Sequence, residues 1–545
     1  MHLRRIVYLC VVAAGCSGGG DAPDAGSSVD GPIVPTPDAP VVPPLPKPTC
    51  APGSGGTASA QAPVLATMLT GVTDESWLGS PSVVDLDNDT ISDIVVTRDT
   101  KLVVWRPGGT VKWQRTPGTG RIWASPVVAD FTGDARLEVV VASRDQIVMY
   151  DADGGVVAGW PKAWRDEVRA VAAGDIDGDG RPEIIAVTTT PLEGNGQRDI
   201  IQAFKANGDV VAGYPPNTTG TSGCDSTCQV TGGFDQTLAV GRLDGDTKWD
   251  ILAPQDNAYM SWHQGSGVAY DVAPIFQGRT KVPGIRFLLD YAESKAGVPS
   301  NEATSLQAHF TNSAPAIADV DGNGQNDIVV LSSVQNAAQT DRKKGTALWV
   351  LTRDGTRTPG FEAPFYVSQY VAGLEDLGNN IVAETQQVTV ADLDPDSPGL
   401  EMVFAAFDGR IHAVRANGTE WWSYKFSGAT NVLTGGVLVA DLSRDGVPEI
   451  VFATYSTATA QSALYVLDAR GQLEHRVDLP GRGAMAVPTI ADVDRNGTLD
   501  IVVSLKDASG QAAAYVYSVP GSATGCLLWP TGRANDQRNG FFRQP

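Results

Sequence analysis

One acidic loop pattern recurs along the chain and limits the folds that the chain can adopt. The copy DIDGDGRPEI, residues 175–184, has acidic side chains at its first, third, fifth and ninth positions, and an apolar, β-prone segment follows it. An EF-hand loop would have its last acidic ligand at position 12 and a helix behind it. Eight copies begin at residues 85, 130, 175, 242, 319, 392, 441 and 492. The copies begin 45 to 77 residues apart, and recurrence of one pattern along a chain predicts a repeat architecture.

Short segments with the composition of β-strands surround each loop. Segments such as EVVVAS and QIVMY are bounded by Gly, Asp or Pro, which is typical of strands joined by tight turns. Four such segments in each repeat predict a four-stranded blade. The sequence therefore predicts an all-β protein, a β-propeller of about eight four-stranded blades over residues 61–545. Loop insertions are expected around residues 188–238, 254–312 and 332–390.

The acidic loop followed by an apolar strand resembles the FG-GAP/VCBS repeats of integrin α-subunit-like β-propellers, over residues of about 75 to 530. Calcium prefers six to eight oxygen ligands, and acidic side chains at positions 1, 3 and 5 of a tight loop point towards one centre. The resemblance implies that a backbone carbonyl at position 7 and the acid at position 9 complete a calcium site. Integrin propellers have seven blades, so seven stays possible beside eight.

Seven of the eight loops carry oxygen donors at these positions, and we predict up to seven Ca²⁺ sites. The predicted ligands are Asp85, Asp87, Asp89, Asp93, Asp130, Thr132, Asp134, Glu138, Asp175, Asp177, Asp179, Glu183, Asp319, Asp321, Asn323, Asp327, Asp392, Asp394, Asp396, Glu401, Asp441, Ser443, Asp445, Glu449, Asp492, Asp494, Asn496 and Asp500. The fourth loop begins with Arg242, whose guanidinium would repel a cation and could instead bridge Asp244, Asp246 or Asp250. We predict that this loop holds no metal.

The N-terminal sequence MHLRRIVYLCVVAAGC resembles the signal of a bacterial lipoprotein. Two arginines precede a short apolar segment, and small residues precede Cys16. We expect a signal peptide over residues 1–15, a lipid on Cys16, and a tether rich in Gly, Ser, Pro and Asp over residues 16–60. These features predict export to a bacterial cell envelope, as an outer-membrane lipoprotein or at the cell surface. Ordinary secretory cleavage is the alternative.

Four cysteines remain once the signal peptide and the lipid-bearing residue are set aside. An even number of cysteines in an exported protein predicts disulfide bonds. Cys224 and Cys228 are close enough in sequence to form a local bridge, and by elimination Cys50 would pair with Cys526. Metal binding by these four cysteines is the weaker alternative, because no set of histidines accompanies them.

The formal net charge of −22 argues against nucleic acid or an anionic membrane as the main partner, so membrane contact is expected only through the lipid anchor. We expect a protein or glycan ligand on the face that carries the insertions, opposite the calcium loops. The sequence thus predicts a binding or adhesion module. No catalytic residue is predicted, because no nucleophile elbow, zincin helix or phosphate loop accompanies His263, His309, His412 or His475. A polysaccharide-active, lyase-like enzyme and a structural component of an envelope complex are the alternatives.

Overall fold

Every regular element in the computed structural model is a β-strand within the residues that it describes. Those residues are 44–165, 167–189, 200–216, 232–233, 236–255, 259–270, 284–286, 306–310, 313–336, 341, 343–371, 375–376, 380–381, 386–427, 431–508 and 512–543. In these ranges, no helix has the length and apolar character that crossing a membrane requires. The predicted Cys224–Cys228 bridge and parts of each predicted insertion lie outside them.

Eight antiparallel sheets follow one another along the chain, and each contains one acidic loop between its first and second strands. We number the blades and their loops 1 to 8 in chain order. From first to last, the strands are Ser82–Val84, Asp93–Arg98, Lys101–Trp105 and Val111–Arg115 in blade 1; Val127–Ala129, Glu138–Ser143 and Gln146–Tyr150 in blade 2; Val168–Gly174, Glu183–Thr188 and Ile201–Phe204 in blade 3; Ala239–Gly241, Asp250–Pro254, Tyr259–His263 and Gly284–Arg286 in blade 4; Ala316–Ala318, Asp327–Gln335, Thr346–Leu351 and Phe365–Val367 in blade 5; Gln386–Ala391, Glu401–Ala405, Arg410–Val414 and Glu420–Lys425 in blade 6; Leu438–Ala440, Glu449–Ala453, Ala463–Leu467 and Leu473–Asp478 in blade 7; and Thr489–Ala491, Asp500–Ser504, Ala514–Ser518 and Val64–Leu69 in blade 8. Seven further short strands are Gln307–His309, Ser313–Ala314, Glu375–Asp376, Asn380–Ile381, Val432–Leu433, Tyr455–Ser456 and Leu527–Trp529.

The eighth blade closes the propeller with a strand from the other end of the chain. Val64–Leu69 pairs antiparallel with Ala514–Ser518, in a register that sets Val64 opposite Ser518 and Leu69 opposite Ala514. A disulfide between Cys50 and Cys526 joins the same two regions of the chain across 476 residues of sequence. The predicted all-β fold is confirmed, with eight blades rather than seven, and so is this disulfide.

Apolar side chains fill the space between neighbouring blades. The second strand of blade 1 is buried along its whole length, and its Ile94 and Val96 share one cluster with Val502 and Val516 of blade 8. A strand that is covered on both faces needs apolar residues at successive positions, because each face meets a neighbouring blade. This packing gives the loops a rigid base.

The C-terminal tail, residues 527–543, occupies the centre of the propeller and contacts the first strand region of all eight blades. The contacts are Gln387 with Arg533, Val439 with Trp529, Ile490 with Pro530, Pro81 with Arg538, Val128 with Asp536, Ala173 with Gln537, Val240 with Asn539 and Ile317 with Gly540. Arg538 is fully buried and donates to the carbonyl oxygens of Ser80, Pro81 and Pro126. The tail therefore fills the centre and ties the blades to one another.

Residues 45–60, here called the N-terminal strap, lie against blades 6 and 7. The backbone N–H groups of Thr49 and Cys50 both donate to the carbonyl oxygen of Gly446 at 2.9 Å, and that of Gly53 donates to Arg444 at 2.8 Å. This segment is part of the tether predicted over residues 16–60, because it has little apolar content. It is held instead by backbone hydrogen bonds to loop 7, which composition does not reveal.

Candidate metal centres

All eight acidic loops lie on one face of the propeller. Each loop joins the first strand of its blade to the second, and successive strands are antiparallel, so equivalent connections lie on the same side. We call this side the loop face. The turns between second and third strands and the connections between blades lie on the opposite side, which we call the insertion face.

One hydrogen bond is common to all eight loops. The last acid of the loop, at position 9 in seven loops and at position 10 in loop 6, accepts a hydrogen bond from the backbone N–H of position 2, at 2.6–3.3 Å. We call it the position-9 acid in all eight loops. The donor and acceptor residues are Leu86 and Asp93, Phe131 and Glu138, Ile176 and Glu183, Leu243 and Asp250, Val320 and Asp327, Leu393 and Glu401, Leu442 and Glu449, and Val493 and Asp500. The position-9 acid thus begins the second strand and fixes the turn without needing an ion.

The acid at position 1 holds the other end of the turn. In loop 5, the two carboxylate oxygens of Asp319 accept from the N–H groups of Asn323 and Gly324 at 2.9 and 2.8 Å. Gly324 has a φ of 86°, a left-handed conformation that costs glycine little. Loop 1 places Thr90 at the same position with a φ of 69°. Six loops have a left-handed residue at position 6 and so share this turn although their sequences differ: Thr90, Ala135, Gly180, Gly324, Gly446 and Gly497. Thr247 of loop 4 and Ser397 of loop 6 do not adopt this conformation.

Burial makes the position-9 carboxylates costly to ionise. All eight are at most 4 % exposed. Burial, with a smaller contribution from neighbouring loop acids, raises the pKa of Asp327 and Asp500 to about 6, of Glu183 and Asp250 to about 7 and of Glu401 to about 8. A cation placed beside such a carboxylate would offset this cost.

Four loops bring three carboxylates together, with one oxygen of each within 4.8 Å of the others. The groups are Asp85, Asp87 and Asp89 in loop 1; Asp175, Asp177 and Glu183 in loop 3; Asp319, Asp321 and Asp327 in loop 5; and Asp492, Asp494 and Asp500 in loop 8. In loop 8, the Oδ1 atom of Asp492 is buried without a hydrogen-bond donor. These residues could hold a metal ion, and an oxygen that lacks a donor fits a cation.

The other three predicted metal loops have different contacts. In loop 2, the Thr132 hydroxyl donates to Glu138 at 3.0 Å. In loop 6, the guanidinium of Arg415 lies 2.7 Å from a carboxylate oxygen of Asp394. In loop 7, the Ser443 hydroxyl donates to Asp445 at 3.1 Å. Among the described residues, these loops form no group of three carboxylates as close as the four above.

Loop 4 does not contain the predicted arginine bridge. The side chain of Arg242 is exposed and forms no ion pair with Asp244, Asp246 or Asp250 in the described part of the chain, so that expectation is wrong. An arginine in water keeps its hydration, which a buried pair would have to replace. The Tyr270 hydroxyl instead lies 3.1 Å from Asp244 Oδ2 and 2.8 Å from Asp250 Oδ1.

Tryptophan and charged side chains form a cluster on the insertion face, between blades 8 and 3. The Arg121 guanidinium lies 3.8 Å from the ring centroid of Trp77 and 4.9 Å from that of Trp123, and Arg169 lies 4.4 Å from Trp123. The Trp123 indole N–H donates to Glu167 at 2.8 Å. This cluster was not predicted from the sequence, although the matching strings WLGSP and WASP each precede a first strand.

The histidines offer no exposed pair for catalysis. His263 and His309 are buried in strands, at 0 % and 4 % exposure. His412 is also buried, between Asp408 at 3.2 Å and Glu420 at 2.7 Å. Since ionised carboxylates only accept hydrogen bonds, this histidine is held by two acceptors within its blade.

Comparison with known proteins agrees with the repeat and the fold. Residues 85–141 match the FG-GAP-like repeat family. No curated protein matches the chain in sequence.

Solved structures resemble the fold at low sequence identity. The V. cholerae biofilm matrix protein Bap1 is 14 % identical with a TM-score of 0.41, over 89 % of this chain and 96 % of that one. BamB from Moraxella catarrhalis is 12 % identical with a TM-score of 0.44, over 83 % and 96 %. Saccharomyces cerevisiae Sqt1 is 10 % identical with a TM-score of 0.49, over 84 % and 100 %. At these values the likeness says nothing about function. Together, the repeat match and the eight sheets identify the chain as an eight-bladed β-propeller that carries an FG-GAP-like repeat.

Proposed function

We propose that the protein is a calcium-binding β-propeller that acts as a binding or adhesion module at a bacterial cell surface, anchored through a lipid on Cys16. The observation that carries the calcium assignment is the set of four acidic groups on the loop face, each made of three carboxylates. Hard divalent cations with oxygen ligands match this donor set, and Ca²⁺ tolerates its irregular geometry better than Mg²⁺.

Calcium would act on stability rather than on chemistry. Asp319, Asp321 and Asp327 would hold it in loop 5, and Asp492, Asp494 and Asp500 in loop 8. The bound ion would supply positive charge beside the buried Asp327 and Asp500, which begin second strands. Those carboxylates would then stay ionised at neutral pH without the cost of burial.

The ligand would bind on the insertion face, where the cluster around Trp77 and Trp123 lies. The rings are partly exposed, and Arg121 and Glu167 provide a donor and an acceptor beside them. Aromatic rings next to paired charges favour a polar partner, a protein or a glycan. A rigid scaffold that presents such a surface supports binding.

The enzyme alternative has less support. Lys506 lies 3.1 Å from Glu75, and burial lowers its pKa to about 8, so an acid and a base do meet on the insertion face. However, Lys506 is only 1 % exposed, and Trp77 covers its ammonium at 3.1 Å. A substrate would have no direct access to this nitrogen.

Calcium binding is tested by thermal unfolding of the full chain, carrying C16S to prevent lipidation, across micromolar to millimolar calcium and in EDTA. The melting temperature is expected to rise with calcium and to fall in EDTA. The variant D321N, which removes one partly exposed loop carboxylate, should need more calcium for the same rise, whereas D153N, at an exposed ion pair with Arg136, should not. Equal melting temperatures in calcium and in EDTA would contradict the proposed calcium binding.

Ligand binding and anchoring need separate tests. The calcium-loaded protein is screened against envelope proteins and glycans, and W123A is expected to weaken any specific binding while the melting temperature in calcium stays within a few degrees. Binding that W123A leaves unchanged would place the ligand elsewhere. Recovery of the C16S protein in the membrane fraction, together with the wild type, would contradict the lipid anchor.

A further inference from the structure

Two positions on the hairpin between the third and fourth strands lie over the acidic loop of the same blade. The first directly follows the third strand, and in blades 1 to 7 its backbone N–H donates to the carbonyl four residues later at 2.8–2.9 Å. The residues there are Arg106, Asp151, Lys205, Gln264, Thr352, Arg415 and Asp468. The second position is six residues further along. The residues there are Lys112, Val157, Val211, Tyr270, Thr358, Trp421 and Glu474. We call the two positions the hairpin pair.

The first member of the pair reaches the third position of the loop when it is basic. Arg106 lies 3.5 Å from Asp87 in blade 1, and Arg415 lies 2.7 Å from Asp394 in blade 6. In blade 3, Lys205 also pairs with the third-position acid, Asp177. Three blades thus repeat one geometry.

The second member reaches the acid at position 9. In blade 1, the ammonium of Lys112 lies 2.8 Å from both Asp87 and Asp93. In blade 5, the Thr358 hydroxyl donates to Asp327 at 2.8 Å. Blade 4 places the Tyr270 hydroxyl at the same point, 2.8 Å from Asp250. The second member is therefore the partner of a buried carboxylate in three blades.

Blades 1 and 5 are opposite cases. In blade 1, the hairpin pair and Arg495 of blade 8 provide cations to all four loop acids: Arg106 reaches Asp89 at 2.7 Å, and Arg495 reaches Asp85 at 3.1 Å. In blade 5, both members of the pair are threonines, and no described side chain forms an ion pair with Asp319, Asp321 or Asp327. The carboxylates of loop 1 are already neutralised, and those of loop 5 are not.

We propose that the hairpin pair decides whether a loop takes up a metal ion: Arg106 and Lys112 replace the metal in loop 1, whereas Thr352 and Thr358 leave loop 5 open to it. This inference rests on the proposed calcium binding and specifies which loops carry it. Loop 1 has acids at positions 1, 3, 5 and 9, yet the side chains of Arg106 and Lys112 provide the positive charge that a metal ion would otherwise bring. The number of acids in a loop therefore does not predict its occupancy.

The test exchanges the hairpin pairs and counts bound calcium. Full-length C16S protein is freed of metal and equilibrated with calcium by dialysis, and the ions per chain are measured by mass spectrometry. R106T/K112T, which gives blade 1 the pair of blade 5, is expected to bind one more ion per chain. T352R, which gives blade 5 a basic first member at a partly exposed position, is expected to bind one fewer. K101T removes a cation from the other end of the same hairpin, where it pairs with Asp74, and should change nothing.

The outcomes separate this inference from the proposed function. If the parent protein binds calcium and both exchanges leave the number of ions unchanged, the inference is wrong and calcium binding stands. If no protein binds calcium, both are wrong. Because R106T/K112T leaves three acids, Asp87, Asp89 and Asp93, without cations, it is expected to melt well below K101T in EDTA and to recover in calcium. K112M, which keeps the aliphatic stem of the lysine, is tested as well in case R106T/K112T does not fold. An unchanged number of bound ions in both K112M and T352R overturns the inference.

Discussion

Asp250→Asn in loop 4 would remove a buried charge without removing the hydrogen bonds around it. Asp250 is 1 % exposed, and its Oδ2 atom accepts from the Leu243 N–H at 2.8 Å. An asparagine oxygen can accept the same bond. Its amide can donate to the Tyr270 oxygen, while the Tyr270 hydroxyl donates to Asp244. The substitution therefore tests the charge of this carboxylate rather than its shape.

The expected size of the effect follows from the pKa of this group. An ordinary Asp has a pKa of about 3.9, and burial raises the pKa of Asp250 to about 7. The folded state thus binds this proton more tightly, so its contribution to stability is present at low pH and is lost as the pH rises from about 4 to about 7. A shift of about 3 units corresponds to roughly 4 kcal/mol, of which about 2–3 kcal/mol is lost between pH 5 and pH 8.

The assay compares denaturant unfolding of the wild type and D250N at pH 5 and pH 8, at constant ionic strength and in EDTA. Relative to the wild type, D250N is expected to gain about 2–3 kcal/mol in free energy of unfolding between the two pH values. D246N, at an exposed position in the same loop, should show no such change. An equal difference between wild type and D250N at both pH values would refute the reasoning, because Asp250 would then be ionised or neutral throughout.

Two other predictions concern the ends of the chain. R538A is expected to lower the free energy of unfolding by about 3–5 kcal/mol, because the buried guanidinium donates to carbonyl oxygens of blades 1 and 2. The control R136A, at an exposed ion pair, should lower it by less than about 1 kcal/mol. Similar losses for the two variants in urea unfolding would contradict the role of the tail. C50A/C526A is expected to lower the free energy of unfolding by about 2–5 kcal/mol, because the disulfide closes a loop that contains almost the whole chain and so restricts the unfolded state. An unchanged melting temperature of the wild type after reduction would contradict this.

The blades could be predicted from the sequence because the loop and strand patterns of each blade lie within one repeat. A loop with acids at positions 1 and 9 begins and ends within one blade, and apolar β-prone segments on either side supply the strands. The closure could not be predicted in the same way. The pairing of Val64–Leu69 with Ala514–Ser518 joins segments that no local pattern relates, and the exposed Val64 and Met68 give that strand no clear alternation.

The site could be predicted only in part, for a related reason. The acids of each loop are close in sequence, and the structure places the groups in loops 1, 3, 5 and 8 together. The groups that pair with them come from the next hairpin, such as Lys112 for Asp93 and Tyr270 for Asp250, about 20 residues away. An alignment of the hairpins by the turn after the third strand would have revealed these positions, because their spacing is constant.

Comparison of the eight loops shows that the hydrogen bond that fixes the turn forms independently of the charges in the loop. The hydrogen bond from position 2 to position 9 is present in all eight, including loop 4, which has an arginine in place of the first acid. The turn therefore does not depend on a cation. The buried carboxylate at position 9 has a different partner in different blades: an ammonium at Asp93, a tyrosine hydroxyl at Asp250 and a threonine hydroxyl at Asp327. Because the turn is already formed, the proposed exchanges on the hairpin would change this partner without changing the turn.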